Sequence, residues 1–244
     1  MHGETTPFVG VLEEFLQKRC TRSLTATYES NLEMAIELLW FEEVQCVLQM
    51  CLVEDPAKPW GKGRGAFVDI FIGNSQRHHR TANQVLVMEL KNVTLCGLWR
   101  AQQQNPDTLP RSNNEYEPTV RFLRNATEDQ ILAMKHAFYD KATQKWIKLL
   151  VKDTLQGATA QLDKYMTVIS RGRVTFTSPG VLDDRIKCHP GGCDVLCGYV
   201  VICIGGTCVI CRSMMRKDSY YSFEVIHPLD TGGELGDKGY FEGF

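Results

Sequence analysis

A carboxylate and an ammonium group stand one residue apart where the apolar run QVLVMELKN, residues 84–92, comes to its end. They belong to Glu89 and Lys91, which point to the same face of a β-strand, whereas Leu90 points away. Asp69 lies inside a second apolar segment, FVDIF, where a dry and unpaired carboxylate costs several kcal/mol. If the two segments are neighbouring strands, Asp69 approaches Glu89, and the two carboxylates repel each other.

A divalent cation between these carboxylates would remove the conflict. Oxygen ligands of this kind suit Mg²⁺ or Mn²⁺ better than zinc. Lys91 would then stand beside the metal, where it can orient or deprotonate a water or offset charge on an attacked phosphate. The alternative is structural, with Lys91 neutralising Glu89 in a salt bridge at a sheet edge. These residues leave both interpretations open.

The spacing of these residues resembles that of a known family. Asp69, nineteen further residues and then Glu89-Leu90-Lys91 are similar to the motif of the PD-(D/E)xK phosphodiesterase superfamily, although Val68 stands where that motif has proline. The stretches GRGAFVDIFIG and GYVVICIGGTCVI further resemble PD-(D/E)xK domains found with AAA-type ATPases and in fungal or oomycete effector and mobile-element proteins. The resemblance covers about residues 25–215.

Further residues of that motif lie on segments expected to be helical. In the family an N-terminal helix supplies another glutamate, which here would be Glu29, with Glu33 as the alternative one turn later. Some branches carry a glutamine and a tyrosine on a later helix, and QLDKY supplies Gln161 and Tyr165 on one helix face. Apart from the resemblance, this pair fits a helix that packs on a sheet with Tyr165 half-buried.

The resemblance implies a restriction-endonuclease-like fold and a metal-dependent nuclease acting on DNA or RNA, with a homodimer as an option. Lys91 would position the attacking water, while Gln161 and Tyr165 would support Lys91 or bind the substrate backbone. The implied ligands of Mg²⁺ or Mn²⁺ are Asp69, Glu89, the Leu90 carbonyl and Glu29, the last directly or through water. The alternative is an inactive module of the same fold that binds nucleic acid or protein.

Cationic residues near this site would serve a polyanionic substrate, because such patches bind phosphates irrespective of sequence. The formal net charge is only -2, so a nucleic acid must be held by a local patch and not by the overall field. The candidates are Lys58, Lys62, Arg64, the RHHR segment at 77–80, Arg171 and Arg173.

Six cysteines between Cys188 and Cys211, with His189 among them, raise the alternative of a zinc site. A two-residue Gly205-Gly206 turn would place Cys203 opposite Cys208 and would put Cys211 on the other face from Cys208. We therefore expect buried, reduced cysteines in that hairpin. A zinc site formed by Cys188, His189, Cys193 and Cys197 stays open, although the spacing is irregular.

Length and composition indicate a globular domain, because 43% of the 244 residues are hydrophobic. No apolar run approaches the roughly 20 residues that a membrane-spanning helix needs. The first twenty residues lack the features of a secretory signal, so we expect a reduced protein of the nucleus or cytoplasm, with no membrane partner.

The elements that must position the candidate residues follow from periodicity. We expect helices over residues 8–20 and 29–44, strands AFVDIFIG and QVLVMEL paired antiparallel across residues 74–83, and an irregular segment from 93 to 125. A capping box at TEDQ predicts a helix from 127 to about Tyr139. Another long helix is expected between Lys145 and Ser170, and a strand pair surrounds the Gly-Gly turn.

The periodicity over residues 44–55 leaves a helix or a first strand open there. The order of elements predicts an α/β domain with a mixed central sheet flanked by helices. We divide the chain into an N-terminal helical extension, residues 1–24, a nuclease-like domain, residues 25–228, and a glycine-rich tail, residues 229–244.

Overall fold

A computed structural model describes residues 6–19, 32–36, 46–59, 63–73 and 84–226 of the chain. The strands in these ranges are β1 Cys46–Val53, β2 Gly65–Ile72, β3 Gln84–Val93, β4 Lys135–Asp140, β5 Lys145–Leu150, β6 Gly180–Val181, β7 Ile186–Pro190, β8 Val195–Ile204, β9 Cys208–Arg216 and β10 Tyr221–Val225. The helices are α1 Thr6–Arg19, α2 at residues 32–36, α3 Leu95–Gln102, α4 Glu117–Asn125, α5 Glu128–Leu132 and α6 Val151–Ile169, with a 3-10 turn at Asn113–Tyr116.

Six strands form the central sheet, in the order β6-β1-β2-β3-β8-β9. Strands β1, β2 and β3 are antiparallel neighbours, whereas β3 and β8 run parallel. A parallel pair needs a long crossover connection, and residues 94–194, which contain α6 and continue through β6 and β7, supply it. The expected mixed sheet with flanking helices is confirmed. Strands β4 and β5 form one separate pair, and β7 and β10 form another.

Each face of the sheet carries its own hydrophobic core. The first core lies between the sheet and α6, and it contains Val87 of β3 together with Leu162 and Tyr165 of the helix. The second core lies on the opposite face, where Leu12 of α1 and Ile36 of α2 are buried. The sheet is therefore the middle of three layers. Among the described helices, none is long and apolar enough to cross a membrane.

Helix α6 packs closely against Gly198 of β8. A Cβ atom at this position would lie 2.4 Å from Met166 Sδ and 3.0 Å from Leu162 Cδ2. The missing side chain thus lets the helix pack directly on the strand, which fixes the height of Gln161 and Tyr165 above the sheet.

Several expected elements are confirmed, and the open segment at residues 46–53 is a strand. Helix α1 covers most of residues 8–20, and the described part of the second helix, residues 32–36, is helical. Strands β2 and β3 pair antiparallel. Residues 74–83 lie outside the described ranges. The domain boundaries at residues 24 and 228 stay predictions, and the buried Leu12 of α1 packs in the second core.

The expectation of an irregular segment from 93 to 125 is wrong, because α3 and α4 lie within it. Helix α3 has only eight residues, which is too few for a clear period. Thr94 caps its N-terminus, since the Thr94 Oγ1 accepts a hydrogen bond from the Gly97 N–H at 2.9 Å. A helix of this length depends on tertiary packing more than on propensity.

The helix after TEDQ begins as expected but is much shorter. Thr127 and Gln130 form the capping box, yet α5 ends at Leu132, and the following residues form β4. The expected helix over 145–170 begins only at Val151, because the residues before it form β5. Pairing of β4 with β5 decides both corrections, since strand formation depends on a partner that propensity does not reveal.

Candidate functional site between β2 and β3

Strands β2 and β3 separate at the residues whose spacing suggested chemistry. Their pairing ends at Ile70 and Met88, and the next residues on the two strands are Asp69 and Glu89. The backbone N–H of Leu90 donates to Asp69 Oδ2 at 2.7 Å. A side-chain carboxylate thus takes the place that a strand carbonyl would fill, and it lies directly beside the residue after Glu89.

The sheet is distorted where Gln49 of β1 lies opposite Asp69 of β2. The residues on both sides of this position are paired, but these two are not. Up to this position the side chains alternate regularly, with Val47 and Phe71 in the first core and Leu48 and Ile70 in contact with the second. Beyond it Met50 and Val68 lie in the first core, although regular alternation would turn them to the second. Gln49 has φ +51°, a left-handed conformation that costs a non-glycine residue roughly 1–2 kcal/mol. Local strain of this kind is typical of functional sites.

The Gln49 side chain connects two carboxylates. Its Nε2 donates to Glu33 Oε1 at 2.5 Å and to Asp69 Oδ1 at 3.4 Å. Glu33 of α2 is thereby brought to the same opening as Asp69. Glu29, the glutamate implied first by the resemblance, lies outside the described residues, so the structure speaks only for its alternative.

Glu89 and Lys91 form an ion pair on the α6 side of the sheet. Lys91 Nζ lies 2.6 Å from Glu89 Oε1, with the glutamate side chain 1% exposed and the lysine 24%. Leu90 points into the second core, on the opposite face. The shared face expected from strand alternation is therefore found, and so is the salt bridge of the structural alternative.

Gln161 and Tyr165 reach this ion pair from α6. Gln161 Nε2 donates to Tyr165 Oη at 2.7 Å, and Tyr165 is buried. Burial raises the pKa of Tyr165, and the negative charges of Glu89 and Glu54 raise it further, while the Gln161 bond and Lys91 lower it. The phenol therefore lies within electrostatic reach of both members of the ion pair.

The positive charge of Lys91 influences the pKa of groups on two other elements, Asp69 of β2 and Tyr165 of α6. Burial raises the pKa of Asp69, which is only 8% exposed. The Leu90 N–H, Lys91 and Gln49 each lower that pKa but do not offset the burial. The same ammonium group thus acts on carboxylates from both strands and on the phenol of α6.

Two features of the site were missed in the sequence. Gln49 is a polar residue inside the apolar run CVLQMCLV, the same signal that singled out Asp69. Lys164 Nζ contacts Glu54 Oε2 at 2.6 Å, which ties α6 to the end of β1 next to Tyr165. No local pattern indicates that contact, because the partners lie 110 residues apart.

The expected cationic patch is only partly present. Lys58 pairs with Asp55 at 3.4 Å, and Arg173 pairs with Asp184. Arg171 is exposed, whereas Lys62 and residues 77–80 lie outside the described ranges. Two of the described cations are thus neutralised by neighbouring carboxylates.

The cysteine-rich segment does not gather its thiols at one point: Cys197, Cys203 and Cys211 are buried, Cys188 and Cys208 are partly buried, and Cys193 is exposed. His189 Nε2 lies 3.0 Å from Glu224 Oε2, and its neighbour Cys188 points to the other side of β7. In the part of the chain that the structure describes, no three side chains of the types His, Cys, Asp and Glu are grouped to hold a metal ion. The zinc site at residues 188–197 is not found.

The hairpin after it also differs from expectation. Three residues, Gly205 to Thr207, connect β8 and β9, so that Cys203 faces Val209 and not Cys208. Cys203 and Cys211 therefore share the second core, while Cys208 packs against the first. Positive φ angles at Gly205 and Gly206 allow the tight connection.

The carboxylates at the opening are donors of the type that a hard divalent cation prefers, although as they stand Glu33, Asp69 and Glu89, all within the described residues, do not form a group that could hold a metal ion. Two carboxylates from neighbouring strands are buried there, and burial keeps the pKa of Asp69 raised in spite of its partners. A cation would offset that burial. Glu33 stands behind Gln49 as a third carboxylate, one amide group away from Asp69.

Comparisons with known proteins assign no relative to this geometry. No family model matches the chain, and neither a curated protein nor a solved structure matches it. The interpretation of the site therefore depends on its own residues.

Proposed function

We propose that this chain is a metal-dependent phosphodiesterase that hydrolyses DNA or RNA. The observation that carries the proposal is that Asp69 accepts the Leu90 N–H beside the Glu89–Lys91 ion pair, where β2 separates from β3. Buried carboxylates beside an ammonium group match what phosphodiester hydrolysis requires, namely ligands for a cation and a positive charge near the phosphate.

We propose that Asp69 and Glu89 hold Mg²⁺ or Mn²⁺ together with the Leu90 carbonyl. Glu33, or Glu29 on the undescribed stretch before it, would contribute directly or through water. When bound, such a cation lowers the pKa of water and polarises the phosphate.

The remaining groups act on the reactants from the α6 side. Lys91, released from Glu89, would orient the attacking water and offset charge on the phosphate. Gln161 fixes the Tyr165 hydroxyl through its 2.7 Å hydrogen bond, and the pair would keep the lysine in place or bind the substrate backbone.

A restriction-endonuclease-like fold is part of this proposal. Its support is the order of elements: a helix with Glu33, then three antiparallel strands of which β2 and β3 carry the acidic pair, then a helix with Gln161 and Tyr165 within the long connection to a strand parallel to β3. Strands β6 and β7 lie between that helix and the parallel strand. This order is the basis for proposing the fold, with Glu33 standing in for Glu29, which lies outside the described residues.

A cleavage assay tests the proposal. Labelled single-stranded and double-stranded DNA and RNA are incubated with the full chain and Mg²⁺ or Mn²⁺, with and without EDTA. We expect cleavage that EDTA abolishes and that Asp69→Ala and Lys91→Ala eliminate while circular dichroism stays unchanged. Asp163→Ala is the control, because this exposed carboxylate on α6 pairs with Arg216. Wild-type protein that degrades none of the four substrates contradicts the proposal.

The ion pair between Lys91 and Glu89 favours a second candidate, an inactive module of the same fold that binds nucleic acid or protein. In such a module the 2.6 Å pair would be a permanent structural contact. Isothermal titration with Mn²⁺ separates the two functions. Metal binding that Asp69→Ala removes supports the enzyme, whereas absence of metal binding together with retained nucleic-acid binding supports the module.

A further inference from the structure

The β4–β5 hairpin lies outside the central sheet and is fixed from both of its faces. Trp146 Nε1 donates to Asp107 Oδ1 at 2.7 Å, and Lys148 Nζ donates to two backbone carbonyls at the end of α3. On the other face, His136 Nε2 lies 2.7 Å from Thr154 Oγ1 in the first turn of α6. The hairpin is therefore a rigid attachment to α3 and α6.

The face that bears His136 presents an aromatic ring to solvent. Phe138 shares this face with His136, because the two alternate with Ala137 along β4. The rings of Phe138 and His136 stack with centroids 6.0 Å apart and 29° between their planes. His136 is buried, but Phe138 is 39% exposed. The His136 ring thus stacks on Phe138 from the buried side, and part of the Phe138 ring is accessible to solvent.

Two lysines lie at the turn of the hairpin, beyond the end of β4 where Asp140 faces Lys145. Lys141 and Lys145 are exposed at the turn of the hairpin, and neither forms an ion pair within the described residues. Asp140, the acidic residue of this face, instead accepts hydrogen bonds from the Ala142 N–H and the Thr143 hydroxyl. Near the turn Lys141 and Lys145 outnumber the single carboxylate of Asp140, whereas Lys135 and Lys148 lie on the opposite face of the hairpin.

We propose that this face of the hairpin, the Phe138 face, binds an unpaired strand of nucleic acid. An exposed aromatic ring offers a stacking surface for a base, and the flanking lysines attract its phosphates. Bases in a duplex already stack on one another, so the ring selects an unpaired segment. The inference extends the proposed function, because it assigns the class of substrate that the chain would hold.

The position of the Phe138 face relative to the candidate site sets a length requirement. Thr154 and Tyr165 lie eleven residues apart on α6, which corresponds to roughly 17 Å along the helix axis. A strand that contacts both regions must span this distance, which corresponds to about five nucleotides at the stacked spacing of 3.4 Å and to fewer in an extended strand.

Fluorescence anisotropy of the full chain in EDTA tests the inference without cleavage. The probes are a labelled single strand of mixed sequence and a labelled duplex of equal length. We expect the single strand to bind more tightly, and Phe138→Ala to weaken that binding about tenfold because a stacked base is lost. Phe138→Trp should retain it. Phe122→Ala is the matched control, since this residue of α4 is 43% exposed.

The lysines have a separate signature in the salt dependence. Replacing Lys141 and Lys145 together by alanine should reduce the slope of log K against log salt by about 1.4, because each phosphate contact in a single strand contributes about 0.7. An unchanged slope, equal binding of the duplex, or Phe138→Ala binding like wild type overturns the inference. Absence of single-strand binding at low salt also overturns it and would leave this face to a protein partner.

Failure here and failure of the proposed function give different results. A protein that binds single strands through Phe138 but cleaves none of the four substrates contradicts the enzyme and leaves the binding face in place. A protein that cleaves but binds independently of Phe138 contradicts the binding face alone.

Discussion

Strand β3 pairs with β8 along its whole length but with β2 over only residues 86–88. At the β8 edge the backbone groups of the two strands bind each other, and the adjoining side chains, such as Val200 and Val201, are apolar and buried. At the β2 edge a carboxylate accepts the Leu90 N–H instead. The β8 edge of the strand is therefore part of the hydrophobic core, whereas the β2 edge leaves space for charged side chains.

The difference between the two edges indicates where the sheet departs from its most stable form. Continued pairing of β2 with β3 would not need a buried Asp69, and a regular β1 would not need the left-handed backbone of Gln49. Natural sequences tolerate such local conflicts mainly at functional sites. The β8 edge shows what the same strand does where it has only a structural role.

The largest expected effect comes from removing the negative charge of Asp69, at the β2 edge of β3, with Asp69→Asn. The amide can still accept the Leu90 N–H, but it is a poor ligand for a hard cation, so we expect cleavage to fall about 1,000-fold or more. The fold should become more stable at neutral pH, because the variant no longer buries a charge. Urea unfolding in EDTA and the cleavage assay measure the two effects.

The pH dependence of the Asp69→Asn effect has a definite sign. Burial raises the native pKa of Asp69 above its ordinary value of 3.8, so the native state binds this proton more tightly than the unfolded state does. The wild type therefore loses stability, relative to the variant, as the pH rises from 3.8 through the raised pKa. A stability difference that does not change with pH, or a less stable variant at neutral pH, would contradict this.

A smaller effect is expected from disturbing the structural edge with Gly198→Ala. The new methyl group would approach the side chains of Met166, Met214 and Leu162, so these side chains must move, at a cost of about 1–3 kcal/mol in the free energy of unfolding. Gly157→Ala on the same helix is the control, because nothing lies within 4 Å of its added Cβ, and it should stabilise by about 1 kcal/mol. Urea denaturation of both variants checks the pair, and equal effects would argue against close packing at Gly198.

The smallest effect is expected from Gln49→Gly, which relieves the left-handed backbone but removes the amide between Glu33 and Asp69. Loss of such a supporting group should weaken Mn²⁺ binding about tenfold, with stability unchanged or slightly increased. Gln144→Gly provides the matched control, since Gln144 has φ +54° in the hairpin turn. Calorimetric titration with Mn²⁺ distinguishes them, and equal affinities in the two variants would remove Gln49 from the site.

Much of the sheet could be predicted because its strands are strongly apolar. The runs at β2, β3, β8 and β9 were recognisable, and alternation correctly placed Glu89 and Lys91 on one face. The spacing of four residues also correctly predicted that Gln161 and Tyr165 lie on one face of α6. These predictions needed only the local period of the backbone.

The failures share a different cause. Helix α3, the β4–β5 hairpin and the late start of α6 depend on partners distant in sequence, and short segments carry little periodic signal. Gln49 was missed for a related reason. Its left-handed backbone and its contacts with Glu33 and Asp69 arise only when β1 pairs with β2 and α2 packs nearby.

The amino-acid sequence determined which groups are present for chemistry and which of them share a face, because strand and helix periods act over a few residues. Tertiary structure decided that β2 leaves β3 at Asp69, that the carboxylate takes the Leu90 N–H, and that Lys91 acts on residues from three elements. These arrangements depend on packing between segments far apart in the chain, which no local pattern encodes.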